Sequence, residues 1–199
     1  MKLLKVKHNY NENVVVPGKS GNYRCRKIPK DKVEKVERML DEIASEKKYE
    51  YEVDKENIKM RFRTGLLGEA GIETFFDIEV LEPGAGNSSK YNHPDLEQAG
   101  YKVGVKTTRK IRGQERYPLI NKNNDYPQLI CLIEQRDGDW YCWLCGLATT
   151  DVLNTYQDID DIAYNKDEIV KKGQKTAFWG FRHLKRVSTL RDLNQYRIK

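Results

Sequence analysis

Two stretches of the chain carry apolar residues at the three- and four-residue spacing of an amphipathic helix. The first begins at Asp31, which suits an N-cap, and is expected to end near Lys48. The second runs from about Glu56 to Phe76. Charged residues separate the apolar ones, so each helix is predicted to pack one face on a core and leave the other in solvent.

Glycine recurs at every third position of the second helix, at Gly65, Gly68 and Gly71. A glycine inside a helix costs about 1 kcal/mol relative to alanine. The spacing therefore predicts either the close approach of another backbone or an interruption of the helix near Gly65.

Alternating and continuous apolar runs predict the strands. Residues 2–16 are expected to form a strand or hairpin closed by the Pro-Gly turn that follows, and residues 78–81 a strand leading toward the core. The basic segment after the Pro-Gly turn is rich in turn residues. QLICLIEQ and WYCWLCGLA flank Asp137-Gly138, a pattern typical of a β-hairpin with a two-residue turn. Together the elements predict one α/β domain with a central mixed sheet of about five strands flanked by helices.

Size, charge and cysteine content narrow the class of protein. The chain has 199 residues, enough for one ordinary domain with a sizeable core. Its net charge of +6 favours a polyanion partner, although a basic solvated surface fits that charge equally well. Four cysteines in a lysine-rich chain without a secretory leader indicate free thiols, and no apolar run suits a membrane span. We therefore expect a cytoplasmic protein with no membrane partner.

The cysteines and histidines give no clear metal or nucleophile pattern. Cys142 and Cys145 form a CxxC, but an offset of three on a strand places their side chains on opposite faces, which favours buried thiols. His93 lies beside the candidate segment described next. It could assist there, although a loop histidine without function is the simpler interpretation.

The strand YKVGVKTT, which follows a proline-aspartate pair, has the clearest chemical pattern. Its odd positions, Tyr101, Val103 and Val105, are apolar and are expected to face the core. The even positions place Lys106 on the opposite face. The face that carries Lys106 is thus not needed for the core, and we expect it to belong to the site.

This segment resembles the PD-(D/E)xK nuclease superfamily, which has the restriction-endonuclease-like fold. Pro94-Asp95 matches the PD element, and residues 105–108 match the common ending of the (D/E)xK strand. Gly68-Glu69 matches the helix acid that usually precedes them. The layout is also similar to small nuclease-like proteins of phages and mobile elements. The resemblance implies a restriction-endonuclease-like core in residues 56–199, with residues 1–55 as an N-terminal strand-and-helix extension packed on it.

The resemblance also implies the roles of individual residues around a divalent cation, Mg²⁺ or Mn²⁺. Asp95 would be the central metal ligand, and Glu69 would bind the metal or orient the attacking water. The main-chain oxygen of Val105 would add a ligand. Lys106 would polarise the scissile phosphate or position the water. Mg²⁺ prefers oxygen ligands and keeps several waters, so two carboxylates and a substrate phosphate suffice.

One departure from the family pattern concerns the acid expected two residues before Lys106. Gly104 stands there and has no side chain to offer. Glu97 is a possible replacement acid, on the expectation that it shares a strand face with Asp95, and Glu73 is a weaker substitute. Without a replacement, the protein would bind its partner and not cleave it.

Basic residues after the motif strand are expected to contact phosphates near the rim of the site. They are Arg109, Lys110, Arg112, Arg116 and Lys122. The C-terminal stretch joins aromatic residues to further cations, Lys185, Arg186 and Arg191, and is the candidate for a second nucleic-acid contact. DNA is the expected partner, and a homodimer is possible because double-strand cutters commonly pair two sites.

Three hypotheses follow for the function. The first is a metal-dependent nuclease of PD-(D/E)xK type that hydrolyses phosphodiester bonds, as a DNA endonuclease. The second is a catalytically inactive nuclease-like accessory protein that binds nucleic acid or a partner, and Gly104 motivates it. The third is an interaction protein of phage type that targets another protein.

Overall fold

A computed structural model describes residues 10–16, 19–46, 55–81, 93–110, 117–121, 123–158 and 175–198. In chain order the strands and helices are β1 (Tyr10–Val16), β2 (Lys19–Lys27), α1 (Lys30–Glu46), α2 (Lys55–Phe76), β3 (Gly104–Arg109), β4 (Leu119–Asn121), β5 (Gln128–Arg136), β6 (Asp139–Ala148), α3 (Thr150–Thr155), β7 (Gln157–Asp158) and β8 (Lys175–Phe178). Two 3₁₀ helices follow, at Phe181–His183 and Leu190–Tyr196. No helix within these ranges has the length and apolar composition needed to cross a bilayer.

A mixed five-stranded sheet organises the molecule, in the order β1-β2-β6-β5-β3. Strand β3 is parallel to β5, and the other neighbours are antiparallel. A three-stranded sheet, β4-β8-β7, forms separately. The predicted mixed sheet flanked by helices is therefore confirmed, and β3, which carries Lys106, lies at one end of the strand order.

Each face of the large sheet is covered by its own apolar cluster. Helix α2 lies across one face and α1 packs against α2, around Leu67, Ile72 and alternate strand residues such as Leu129. The other cluster gathers α3, β4 and β8 over Ile130 and the remaining alternate residues. The continuous apolar run of β5 thus reflects a strand that is buried on both faces.

Most local predictions are confirmed within one or two residues at each end. Both helices form, and α2 continues through Gly65 without interruption. Asp137 and Gly138 form the two-residue turn of the β5–β6 hairpin, with positive φ angles of 49° and 82°. All four cysteines are buried and form no disulfide, and Cys142 and Cys145 lie in opposite clusters as their spacing predicts.

One strand prediction is wrong, and one strand was not predicted. Residues 78–81 form no strand, because the backbone amides of Val80 and Leu81 bind the Glu73 carboxylate in place of a neighbouring strand. The turn-rich segment after residues 17–18 is β2, which pairs with β1 on one side and β6 on the other. Pairing with β6 buries Cys25 and outweighs the weak strand propensity of the segment. Residues 2–9 of the predicted hairpin lie outside the described residues.

Glycines in α2 allow the helix to lie directly on the sheet. A methyl group on Gly68 would lie 1.7 Å from Oγ1 and 2.7 Å from Cβ of Thr107 in β3. A methyl group on Gly71 would lie 2.4 Å from Sγ of Cys142 in β6. At Gly65 no atom of the described residues, apart from the helix's own backbone and the two chain neighbours, lies within 4 Å of that position. Close approach therefore explains Gly68 and Gly71 but not Gly65.

The two kinds of glycine are expected to respond oppositely to alanine. Gly68→Ala should lower the free energy of unfolding by roughly 1–3 kcal/mol, because the added methyl overpacks the contact with Thr107. Gly65→Ala should raise it by about 0.5–1 kcal/mol, since alanine favours the helix and meets no obstacle. Urea unfolding followed by circular dichroism measures both. Equal changes in the two variants would contradict the packing explanation.

Candidate functional site

The residues that precede β3 form a compact turn. The amide of Leu96 donates to the carbonyl of Val103 at 2.9 Å, and the amide of Tyr101 donates back to Leu96 at 3.0 Å. The C-terminal segment fastens the turn, since Lys102 N donates to Tyr196 O at 2.8 Å. Leu96 is buried in the apolar cluster under α2, which holds the turn against the core.

Asp95 and Glu97 lie in this turn, so the expectation that they share a strand face is wrong. Glu97 is exposed, and its Oε2 lies 3.0 Å from Nδ1 of His93. The pair faces solvent beside the turn. Glu97 therefore does not fill the space beside Gly104, where the family pattern has an acid.

Asp95 is anchored to the beginning of β3. Its Oδ2 accepts a hydrogen bond from the backbone amide of Val105. The neighbouring amide, that of Gly104, points the other way and donates to Pro127 O at 2.9 Å, beside β5. Because successive residues of a strand alternate, the amide and the carbonyl of Val105 both point to the outer edge of β3, away from β5. Asp95 and the Val105 carbonyl therefore belong to the same edge.

Gln128 occupies the space beside Gly104. The two residues are directly paired between β3 and β5, and a methyl group on Gly104 would lie 2.2 Å from Oε1 of Gln128. Gln128 is only 2% exposed, and none of the residues that the structure describes donates a hydrogen bond to its Oε1. The volume that an acid at position 104 would need is thus filled by an amide from the next strand.

Tyr126 connects Asp95 with Gln128. Its hydroxyl donates to the carbonyl of His93 at 3.2 Å. Burial raises the pKa of Tyr126 to about 12, the charge of Asp95 adds to the rise, and a hydrogen bond from Gln128 opposes it. The tyrosine therefore stays protonated at neutral pH and lies within electrostatic reach of the Asp95 carboxylate.

Lys106 is a residue of β3, whereas Glu69 belongs to α2, the helix that packs on that strand. Thr107 lies under Gly68, so α2 covers the face that carries the odd-numbered side chains of β3. Lys106 is half-buried on the opposite face, which it shares with Gly104 and Gln128. Glu69 is half-buried on α2. The outer edge of β3 is the place where groups from both faces can meet.

Glu73 has a structural role. Its Oε1 accepts from the amides of Val80 at 2.9 Å and Leu81 at 2.8 Å, and its Oε2 accepts from Lys32. Burial favours a raised pKa of Glu73, but these hydrogen bonds outweigh it, so the pKa lies below its usual range. One oxygen holds the chain after α2 and the other pairs with α1, so Glu73 is engaged and is not a substitute metal ligand.

Removing the Glu73 charge is expected to destabilise the fold in a pH-dependent way. At pH 7 Glu73→Gln should lower the free energy of unfolding by about 2 kcal/mol, since buried hydrogen bonds to a charged group are lost. The difference from the unmodified protein should shrink as the pH falls below about 4.3, where the unfolded glutamate takes up its proton.

Glu37→Gln provides the matched control for Glu73. Glu37 also pairs with a cation, Arg63, but its side chain is 38% exposed against 3% for Glu73. The Glu37–Arg63 pair is half-buried and bidentate, so its loss should cost about 1 kcal/mol, less than the loss at Glu73. Equal destabilisation of the two variants in urea titrations at pH 7 and pH 3 would refute the role assigned to Glu73.

The predicted phosphate-contacting residues lie only partly within the described ranges. Lys110 pairs with Glu134 at 3.3 Å and lies 5.4 Å above the ring of Trp143. Arg109 is half-buried at the end of β3. Arg112, Arg116 and Lys122 lie outside the described residues. Lys110, just beyond the end of β3, is thus engaged by a carboxylate of β5 and a ring of β6.

An aromatic group lies in the C-terminal region, where the sequence joins aromatic residues to cations. Tyr156 stacks on His183 with ring centres 3.9 Å apart, and Trp179 meets Tyr156 edge-on at 5.1 Å. Trp179 is 46% exposed, whereas the other two tryptophans, Trp140 and Trp143, are buried. Lys185, Arg186 and Arg191 are exposed in the same segment.

Sequence reasoning missed Tyr126 and Gln128. No local pattern reveals them, because their position depends on the parallel pairing of β3 with β5. The described residues contain no group of three or more His, Cys, Asp or Glu side chains arranged to hold a metal. Asp95, the Val105 carbonyl and the orphaned oxygen of Gln128 are instead three oxygen donors of the kind that Mg²⁺ accepts.

Comparisons with known proteins give no family assignment. No family model matches the chain, and no curated protein or solved structure is detectably similar to it. Function must therefore be inferred from the site.

Proposed function

We propose that this protein is a Mg²⁺-dependent nuclease that hydrolyses phosphodiester bonds in DNA inside the cell. The observation that carries the proposal is the hydrogen bond between Asp95 and the amide of Val105. It fixes a carboxylate at the beginning of the strand that bears Lys106, in the order of the PD-(D/E)xK pattern. In this proposal residues 56–199 form a restriction-endonuclease-like core, and residues 1–55 pack on it.

Each residue of the site has a defined task. Asp95 holds the cation together with the outward carbonyl of Val105, and Glu69 reaches the same edge from α2. Lys106 neutralises charge that develops on the scissile phosphate. Mg²⁺, when bound, supplies Lewis-acid stabilisation of that phosphate and activates water for attack. The protonated Tyr126 closes the inner side of the site.

Removing either charged group should abolish cleavage while leaving the fold intact. Purified protein with Mg²⁺ or Mn²⁺ is expected to cut DNA, and Asp95→Asn and Lys106→Met should each lose at least about 100-fold in rate, the scale of a lost electrostatic group. Lys102→Met, which alters an exposed lysine outside the site, should retain activity. The enzyme proposal fails if the unmodified protein leaves every DNA and RNA form intact, or if Asp95→Asn cuts normally.

A second candidate is a non-catalytic protein that keeps this fold and binds nucleic acid. The observation in its favour is that Gln128, and not an acid, fills the space beside Gly104. Salt-dependent DNA binding without cation binding and without cleavage would decide for this candidate.

The C-terminal aromatic group supports a nucleic-acid partner in either case. An exposed ring next to cations is suited to stack an unpaired base while the cations contact phosphates. Trp179 offers its ring, and residues 175–198 contain six Lys or Arg residues against one acidic residue, Asp192.

Replacing Trp179 should therefore weaken binding to single-stranded DNA. Trp179→Ala is expected to cost about 1–3 kcal/mol of binding free energy, the usual loss of one stacked base. Ile198→Ala is the control, because Ile198 is an equally exposed apolar residue, at 46%. Fluorescence anisotropy with a labelled oligonucleotide measures both. Equal affinities of the two variants would exclude Trp179 as a stacking residue.

A further inference from the structure

We infer that Gln128 supplies the oxygen ligand that replaces the acid missing at Gly104, so that the cation is held by Asp95, the Val105 carbonyl and a neutral amide from the next strand. The inference rests on the proposed function, since it concerns the same cation. It identifies a ligand that neither the family pattern nor the local sequence indicates.

The first support is the unsatisfied carbonyl oxygen of Gln128. Its Oε1 is buried and accepts no hydrogen bond from the described residues. Leaving a buried acceptor unpaired costs roughly 1–3 kcal/mol, so such an atom in a folded protein usually meets an ordered water, an ion or another ligand. A cation is a natural partner, because a side-chain amide oxygen is a common ligand of hard divalent ions.

The second support is the pairing of Gln128 with a glycine. Gly104 is the residue directly opposite Gln128, and its Cα hydrogen leaves room for the amide to lie across β3. A side chain at position 104 would collide with that amide, because its Cβ would lie 2.2 Å from Oε1 of Gln128. The glycine that stands in place of the expected acid thus leaves room for another oxygen donor on the same face of β3.

The third support is the orientation of the amide. Tyr126 donates its hydroxyl proton to His93 O at 3.2 Å, so its oxygen is left to accept a hydrogen bond. Gln128 provides that hydrogen bond, which requires its NH₂ group to face the tyrosine. The carbonyl oxygen is then directed away from Tyr126 and remains available to a ligand.

A simpler explanation is that Oε1 only makes a weak Cα–H···O contact with Gly104. The two explanations differ in what a charge change does. If Gln128 only packs against Gly104, cation affinity will not depend on the chemistry of its end group. If it is a ligand, a carboxylate of nearly the same shape will bind the cation more tightly, because ligand charge sets affinity in such sites.

Mn²⁺ binding to the full chain, measured by calorimetry and electron paramagnetic resonance without any substrate, tests the inference. The proteins are the unmodified chain, Asp95→Asn, Gln128→Glu, Gln128→Leu and Gln135→Leu. Gln135 is an exposed glutamine at the far end of the same strand and serves as the matched control. Circular dichroism reports whether each variant is folded.

We expect Gln128→Glu to bind Mn²⁺ more tightly and Gln128→Leu to bind at least about tenfold more weakly, the scale at which even indirect partners of a metal act. Gln135→Leu should bind normally. If Gln128→Leu does not fold, Gln128→Glu decides alone, and an unchanged or weaker affinity there overturns the inference.

The outcomes separate this inference from the proposed function. Mn²⁺ binding that Asp95→Asn abolishes but both Gln128 variants retain unchanged would leave the cation site in place and remove Gln128 from it. Absence of Mn²⁺ binding to the unmodified chain, together with absence of cleavage, would overturn both proposals.

Discussion

Strand β3 is held between two close contacts that only glycine permits, and the candidate site depends on both. On one face Thr107 lies directly under Gly68 of α2, and on the other Gln128 lies directly over Gly104. The first contact brings α2, the helix that carries Glu69, onto the strand from one side, and the second brings an amide from the other. A protein interior transmits such contacts because it is packed at the density of a crystal.

Local patterns carry enough information for the helices and for the β5–β6 hairpin. Helix α2 was predictable because its apolar spacing persists over several turns, and the turn at Asp137-Gly138 because few residue pairs adopt its positive φ angles. Strand β2 was not predictable, since its basic and turn-forming residues are placed by pairing with β6, a strand more than 100 residues later.

The residues of the candidate site also fall into those that a local pattern reveals and those that it does not. Asp95 and Lys106 stand out in the sequence through their neighbours Pro94 and Thr107. The surroundings of Asp95 depend on which residues of distant strands are paired, so Tyr126 and Gln128 give no local signal. Glu73 is the opposite kind of error, a residue that the sequence suggests and the structure excludes. It lies one helical turn from Glu69 and could replace the missing acid by sequence, but its carboxylate binds the amides of Val80 and Leu81.

The anchoring of Asp95 also bears on how the sheet ends. An end strand presents amides and carbonyls to which a foreign strand can add, and natural proteins block such edges with charge. The amide of Val105 is the first outward donor of β3, and Asp95 already occupies it with a carboxylate. A strand from another molecule would have to displace this carboxylate before it could pair there. The carboxylate proposed for catalysis therefore also blocks one of the positions at which a foreign strand could pair with the sheet edge.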